Sequence, residues 1–304
     1  MTIIDLINSY LQIRRATGYD LRHAASLLAS FGRYCLEAGE SRIGASTVVA
    51  WAALARSPGE RSRRLKAVIR FARYAKTIDS QHQIPPDGVF GYLKRRRVPY
   101  ILSPLEIDKI IEQALRLGPA ESLRPHTYAT LFSLLAVTGL RVGEVLALRL
   151  SDFTADGLVV RNTKFRKTRL VPLHPTTVSG LERYLARRRR VQGRDDCFFV
   201  SLRGHGFRYE TVRSVFQSLV NAAGITSGAG CRRPGIHSFR HTFAVRALEA
   251  CPRDRDQIGR HILALSTYLG HAHVADTYWY LEATPQLLTD VLQAWEAYVK
   301  GESE

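Results

Sequence analysis

Leu6, Ile7, Tyr10 and Leu11 fall three and four positions apart, and Ala24, Leu27, Leu28, Phe31 and Tyr34 repeat that spacing. The opening of the chain therefore predicts amphipathic helices. Gly39 and Gly44 interrupt the pattern, and Ser46 or Thr47 is placed to cap a further helix carrying Val48, Val49 and Trp51. Pro58-Gly59 reads as another break. From Glu60 to Lys76 the period is helical again: Leu65, Val68, Ile69 and Ala72 share one face, and Arg63, Lys66, Arg70 and Arg73 share the opposite one. Pro85-Pro86-Asp87-Gly88 ends this block, and the basic run Lys94-Arg95-Arg96-Arg97 follows it. Paired prolines, a glycine and a basic run are the composition of an extended linker.

Beyond the linker, Ser103-Pro104-Leu105-Glu106 is a strong helix start, with a capping serine, proline at the first helical position and glutamate closing the capping box. Leu131, Leu134 and Leu135 repeat at helical spacing until Gly139. Leu158-Val159-Val160 and Leu170-Val171-Pro172-Leu173 are short strand-like runs around a polar, basic connection, the pattern of a hairpin. Helical periodicity resumes near Thr176–Gln192, Thr211–Ala223 and His237–Glu249. The fold class expected is mainly α with a small antiparallel β-sheet. The expected organisation is a helical domain over 1–85, a basic linker over 86–102, a second domain over 103–284 and a C-terminal tail helix over 285–304.

Charge changes this picture most. Among 304 residues, 44 Lys and Arg against 27 Asp and Glu leave a net +17. Such an excess points to a polyanionic partner, attracted by steering and by counterion release from phosphates. Between Arg56 and Lys76 only Glu60 balances eight basic residues, where a solvated helix normally mixes its signs. That face, together with Lys94, Arg95, Arg96 and Arg97, is read as contacting a nucleic-acid backbone. No run approaches the roughly eighteen apolar residues of a membrane span, and no basic helix has an apolar face suited to a membrane surface. Met1-Thr2-Ile3-Ile4-Asp5 lacks the pattern of a secretory signal, so the expected location is cytoplasmic. Cys35, Cys197, Cys231 and Cys251 form no C-x-x-C pair, which argues against structural zinc and disulfides. No metal and no cofactor is expected.

Breaking and remaking a phosphodiester without metal or ATP sets clear requirements. Guanidiniums suit the charge on the phosphate, because they donate in pairs and stay ionised. A nucleophile must form an ester that conserves the bond energy, and a proton must reach the leaving oxygen. The chain supplies candidates in order. Thr138-Gly139-Leu140-Arg141-Val142-Gly143-Glu144 places an arginine at a glycine-marked helix start, with Glu144 one turn on to orient it. His237-Ser238-Phe239-Arg240-His241 sets a histidine and an arginine three apart, and Leu269-Gly270-His271 precedes Tyr280 by nine residues from the histidine.

These segments resemble the T-G-L-R-x-x-E, H-x-x-R-H and L-G-H…Y motifs of the tyrosine recombinase, or phage integrase, family. Each motif is weak alone; their order and separations make the resemblance specific, and the layout extends it over essentially the whole chain. The resemblance implies a helical core-binding domain joined to an α+β catalytic domain, clamping double-stranded DNA between them. It implies that Arg141 and Arg240 bind the scissile phosphate, that His237 assists proton transfer and that His271 hydrogen-bonds the phosphate. Tyr280 would form a 3′-phosphotyrosyl bond, with Tyr278 as its rival. Counting back from Arg169-Leu170-Val171-Pro172-Leu173, which resembles the family's strand, selects Lys164 as the general acid, with Lys167 as its rival. The glycines that usually flank this lysine are absent. The step from Arg240 to His271 is longer than usual, the extra length falling around Cys251–Asp256 as a loop. A homotetramer on two duplexes, in which the tail docks on a neighbouring subunit, is the implied assembly, with related recombinase subunits as an alternative partner. A mobile-element setting is implied as well.

Three other functions compete. A type IB topoisomerase would share the chemistry without exchanging partners. A DNA-binding regulator would lack the catalytic groups, and a two-metal nuclease would need converging carboxylates, whereas Asp195-Asp196 reads as a turn.

Overall fold

The structure is a computed structural model that describes residues 2–91, 99–161, 168–191, 195–226, 233–251, 255–271 and 273–280. The chain divides into two compact units, Met1–Arg96 and Arg97–Glu304. Among the described residues no helix is long and apolar enough to cross a membrane.

Among its described residues the first unit holds four helices: α1 (Ile3–Ala16), α2 (Arg22–Glu37), α3 (Ala45–Ala53) and α4 (Pro58–Ile78). Their predicted apolar stripes converge on one core built around Leu28, Phe31, Trp51, Leu65, Val68 and Phe71. Two expected boundaries shift. α3 starts from Gly44, so Ser46 and Thr47 lie in its first turn and not at its cap. Pro58-Gly59 opens α4 and does not break the chain, because Ser57 accepts from Glu60 N and proline is tolerated at the first helical position. His82 fastens the end of the unit: its Nδ1 accepts from Ile43 N at 3.0 Å. Phe90 also packs on this core, inside the stretch expected to be linker.

The second unit begins earlier than the sequence suggests. Leu102 is fully buried, and its backbone N donates to Thr242 Oγ1 at 2.8 Å. Ser103 and Glu106 form the expected capping box of α5 (Pro104–Leu115). There follow α6 (Leu123–Thr138), α7 (Val142–Leu146), the strands β1 (Phe153–Thr154), β2 (Gly157–Val160) and β3 (Arg169–Val171), then α8 (Pro175–Arg188), α9 (Tyr209–Ala222), α10 (Ser238–Glu249), α11 (Arg255–Leu269) and α12 (Ala275–Tyr278). The sheet is antiparallel in the order β1-β2-β3, with Leu158 opposite Val171 and Val160 opposite Arg169. The class is therefore mainly helical with a small antiparallel sheet, as the periodicity implies. The sequence pattern marks neither β1 nor α11, and Arg255 already belongs to α11, so the expected surface loop ends sooner. The main core runs from Leu102 to Phe239, while a smaller cluster gathers Ala244, Val245, Leu248, Ile262, Leu265, Leu269 and Tyr280.

Candidate active site

Gly139 ends α6 with φ +59°, and a Cβ there would sit 2.5 Å from the Phe243 ring, so both backbone and space call for glycine. Arg141 then caps α7. Glu144 folds back onto it: Oε2 accepts from Arg141 N at 3.0 Å and Oε1 from Nη1 at 2.9 Å. Arg240 lies in the first turn of α10, which is pressed onto the core through Phe239, its ring stacked on Phe132 and edge-on to Phe216. Arg240 is buried and donates to Gly139 O and to Leu269 O, both at 2.8 Å. Arg141 reaches the same turn, donating to Leu269 O at 3.4 Å and Gly270 O at 3.1 Å. Both guanidiniums thus gather at the C-terminal carbonyls of α6 and α11, where the peptide dipole favours cations.

Gly270, at φ +66°, turns the chain out of α11, and His271 follows, its N donating to Ser266 O at 3.0 Å. His271 Nδ1 and Thr277 Oγ1 are 2.8 Å apart. Burial, then the charges of Arg240 and Arg141, lower the His271 pKa to about 4. His237, at the cap of α10, keeps an open edge to solvent. Its pKa is lowered too, by desolvation first and then by Arg240 and Arg141. Both imidazoles are neutral at pH 7.

Tyr280 is only 4% exposed and lies within this group, whereas Tyr278 is 50% exposed. Its ring is nearly parallel to His271, at 13° and 6.2 Å between centroids, and tilted against His241 at 5.6 Å. Burial raises the phenol pKa; the charge and hydrogen bond of Arg240, then the charge of Arg141, oppose that rise without cancelling it. At neutral pH the hydroxyl is protonated and faces a cation.

Arg141, Glu144, His237, Arg240, His271 and Tyr280 therefore come together. Lys164 and Lys167 lie outside the described residues, although β2 and β3 pair on either side of them. Lys94, Arg95, Arg96, Arg97 and the tail over 285–304 lie outside them as well. Arg63, Lys66, Arg70 and Arg73 are all exposed on α4, but Arg63 is paired with Glu60 at 2.8 Å. Arg61 and Arg64 of the same segment turn back to the carbonyls of Ala55 and Trp51, so part of its basic charge is structural.

Sequence reasoning passed over two residues. Arg169 shares Glu144 with Arg141, its Nη2 2.8 Å from Oε2. His241 lies against both Tyr280 and Trp279, and its pKa is lowered to about 4 by burial, then by His237 and Arg240. The H-x-x-R-H box contained His241, but Arg169 carried no local signal. A cleft of about 430 Å³ opens beside His237 and His241, walled by Tyr209, Arg213, Arg233 and Trp279. Cys35, Cys197 and Cys251 are free thiols, each with its pKa raised chiefly by burial. Asp195 accepts from Gly206 N and Asp196 pairs with Arg149, so these carboxylates are spent on the local fold.

Such a grouping of arginines, histidines and a buried tyrosine on an α-helical domain with a small sheet defines a class. Residues 101–286 match the model of the phage integrase family. The chain belongs to that family, the tyrosine recombinases and integrases. It is 36% identical to the integrase/recombinase y4rB of Sinorhizobium fredii, over 97% of each chain. It is 30% identical to the tyrosine recombinase XerD of Caulobacter vibrioides, over 91% of this chain and 88% of the relative. A lambda integrase tetramer bound to a Holliday junction shares the fold, with a TM-score of 0.66 at 18% identity, covering 92% of this chain and 77% of that one.

Proposed function

We propose that this chain is a site-specific recombinase of double-stranded DNA that works through a covalent tyrosine intermediate. The Tyr280 oxygen attacks a backbone phosphorus and the bond to the 5′-oxygen breaks, leaving a 3′-phosphotyrosyl link and a 5′-hydroxyl. Arg141 and Arg240 hold the non-bridging oxygens. Each guanidinium carries five N–H donors, and the carbonyl contacts engage only some of them. His237, neutral at the working pH, takes up the phenolic proton, and His271 donates to the phosphate. Lys164 protonates the leaving 5′-oxygen. A 5′-hydroxyl of the partner duplex then attacks the phosphotyrosyl bond and frees Tyr280. Because the ester conserves the bond energy and the guanidiniums neutralise the phosphate, the cycle uses neither ATP nor metal.

The observation that carries this reading is the convergence of Tyr280 with two arginines and two neutral histidines drawn from four separate segments. Arg63, Lys66, Arg70 and Arg73, with Lys94, Arg95, Arg96 and Arg97, are assigned to the DNA backbone. Assembly is as a tetramer on two duplexes, the state in which the lambda integrase neighbour is bound to a Holliday junction, and each tail over 285–304 docks on a neighbouring subunit. The test is a nicked suicide substrate, from which the short strand below the nick diffuses away and traps the adduct. Peptide mapping is expected to find DNA on Tyr280. Tyr280→Phe is expected to abolish adducts with DNA binding intact, and Tyr278→Phe to retain them; the reverse pattern would assign the chemistry to Tyr278.

A further inference from the structure

Arg169 opens β3, and the side-chain hydrogen bonds it makes among the described residues all lead to the site. Its Nη1 and Nη2 bond the two Glu144 oxygens at 3.2 and 2.8 Å, a bidentate pairing, while Nε donates to Tyr268 O at 2.9 Å. Arg141 occupies the remaining capacity of the same carboxylate. The last turn of α11 consequently meets three guanidiniums: Arg169 on Tyr268 O, Arg141 and Arg240 on Leu269 O, and Arg141 again on Gly270 O. Gly270 is shaped around this packing, since a Cβ there would lie 2.9 Å from Arg169 Nη1. Glu144 and Arg169 are nearly enclosed, with side chains 7% and 14% exposed. Burial alone would raise the Glu144 pKa, but the hydrogen bond and charge of Arg169, followed by the backbone and side-chain hydrogen bonds of Arg141, bring it below the ordinary value.

We infer that Arg169 is a positioning residue for the cleavage step: through Glu144 and the α11 terminus it fixes the direction of the Arg141 guanidinium and ties the base of the hairpin to it. A carboxylate held by Arg141 alone can rotate, and Arg141 turns with it. Held from the far side by Arg169, Glu144 has one orientation, and the Arg141 donors have one too. The same residue begins β3, five positions after Lys164 in the sequence, so β3 and the phosphate-binding arginine share one anchor. Arg169 itself need not touch DNA. A lysine cannot substitute fully, because one ammonium does not span both oxygens while also capping Tyr268 O.

The inference rests on the reading of Arg141 as a phosphate ligand, and its test separates the two. Single-turnover adduct formation on the suicide substrate is measured at saturating DNA for the parent chain, Arg169→Gln, Glu144→Gln and the double variant, with DNA affinity and thermal melting recorded for each. Arg169→Gln is expected to bind DNA within about twofold of the parent, since phosphate contacts elsewhere carry affinity. Its cleavage rate is expected to fall by about a hundredfold, the scale of a misplaced catalytic group. The double variant should be no slower than the slower single one, because both act through one linkage. Losses that multiply, or a parental rate in whatever fraction of Arg169→Gln remains folded, would overturn the inference. If Arg169→Gln does not fold, Arg169→Lys keeps the buried charge and is carried through the same cycle, with an intermediate rate expected and a parental one fatal. A parent chain that forms no adduct would reject the proposed function and this inference with it; adducts in the parent with no loss in the variants would reject only the inference.

Discussion

At the residue scale, the ionisation of the histidines is where structure adds most to the motifs. His237, His241 and His271 all have lowered pKa values, and burial is the leading cause in each. Such a group is neutral when folded and titrates near 6.5 when unfolded. Its stabilising contribution is complete above that value. It is lost as the pH falls, because the unfolded chain takes up the proton first. For His241 and His271 the loss runs down to about 4. Each can contribute a slope of at most about 1.4 kcal/mol per pH unit. Glu144, also lowered, contributes only below the ordinary carboxylate range, so the interval between pH 6.5 and 5 belongs to the histidines. His82 and His126 shift in the same direction, and a variant is needed to isolate the site. The melting temperature of the chain is expected to fall between pH 7 and pH 5, and His241→Gln to flatten that fall by about one proton's worth. A His241→Gln curve parallel to the parent's would mean that His241 is not held neutral.

At the scale of elements, α6 and α11 end in the same way, and the site is built on those two ends. Each finishes at a left-handed glycine whose neighbourhood offers carbonyls to arginines: Gly139 O to Arg240, Leu269 O and Gly270 O to Arg141. Gly139→Ala and Gly270→Ala are each expected to cost at least about 1–2 kcal/mol from the left-handed backbone alone. The Phe243 ring and the Arg169 guanidinium add steric cost, because a Cβ would approach them to 2.5 and 2.9 Å. Gly143, inside α7 with open space around it, is the contrast: Gly143→Ala is expected to leave stability unchanged or raise it by about 0.5–1 kcal/mol. Chemical denaturation of the three variants checks this, and equal losses at all three positions would show that generic glycine effects are being measured. The motif glycines were legible in the sequence because each acts on its own turn. Arg141 and Glu144, three apart, were legible for the same reason. Arg169 was not, since its partners are 25 and 99 residues away and no local pattern encodes them. β1 is two residues long and exists only through its pairing with β2. α11 was missed because it follows a proline and a run of mixed charges that read as loop.

At the scale of the whole molecule, a net +17 is far more charge than the site consumes. Arg141, Arg169 and Arg240 are committed to Glu144 and to helix-end carbonyls, and Arg61 and Arg64 to backbone carbonyls in the first unit. Part of the basic excess that remains is exposed, and on α4 it is ordered into one face comprising Lys66, Arg70 and Arg73, with Arg63 partly answered by Glu60. A face of this kind binds phosphates without reading bases, so its loss should weaken every duplex alike. Each phosphate contact releases counterions, and removing one lowers the slope of log affinity against log salt by about 1. Lys66→Ala, Arg70→Ala and Arg73→Ala in one chain are therefore expected to reduce that slope by about 3 if all three touch DNA. Affinity should drop equally for a recombination site and for random duplex. The cleavage rate at saturating DNA should stay near that of the parent, because none of the three is near Tyr280 in the sequence or in its buried cluster. Titrations at several salt concentrations measure the slope directly. An unchanged slope would make α4 a merely solvated helix, and a loss confined to the specific site would mean that this face reads bases.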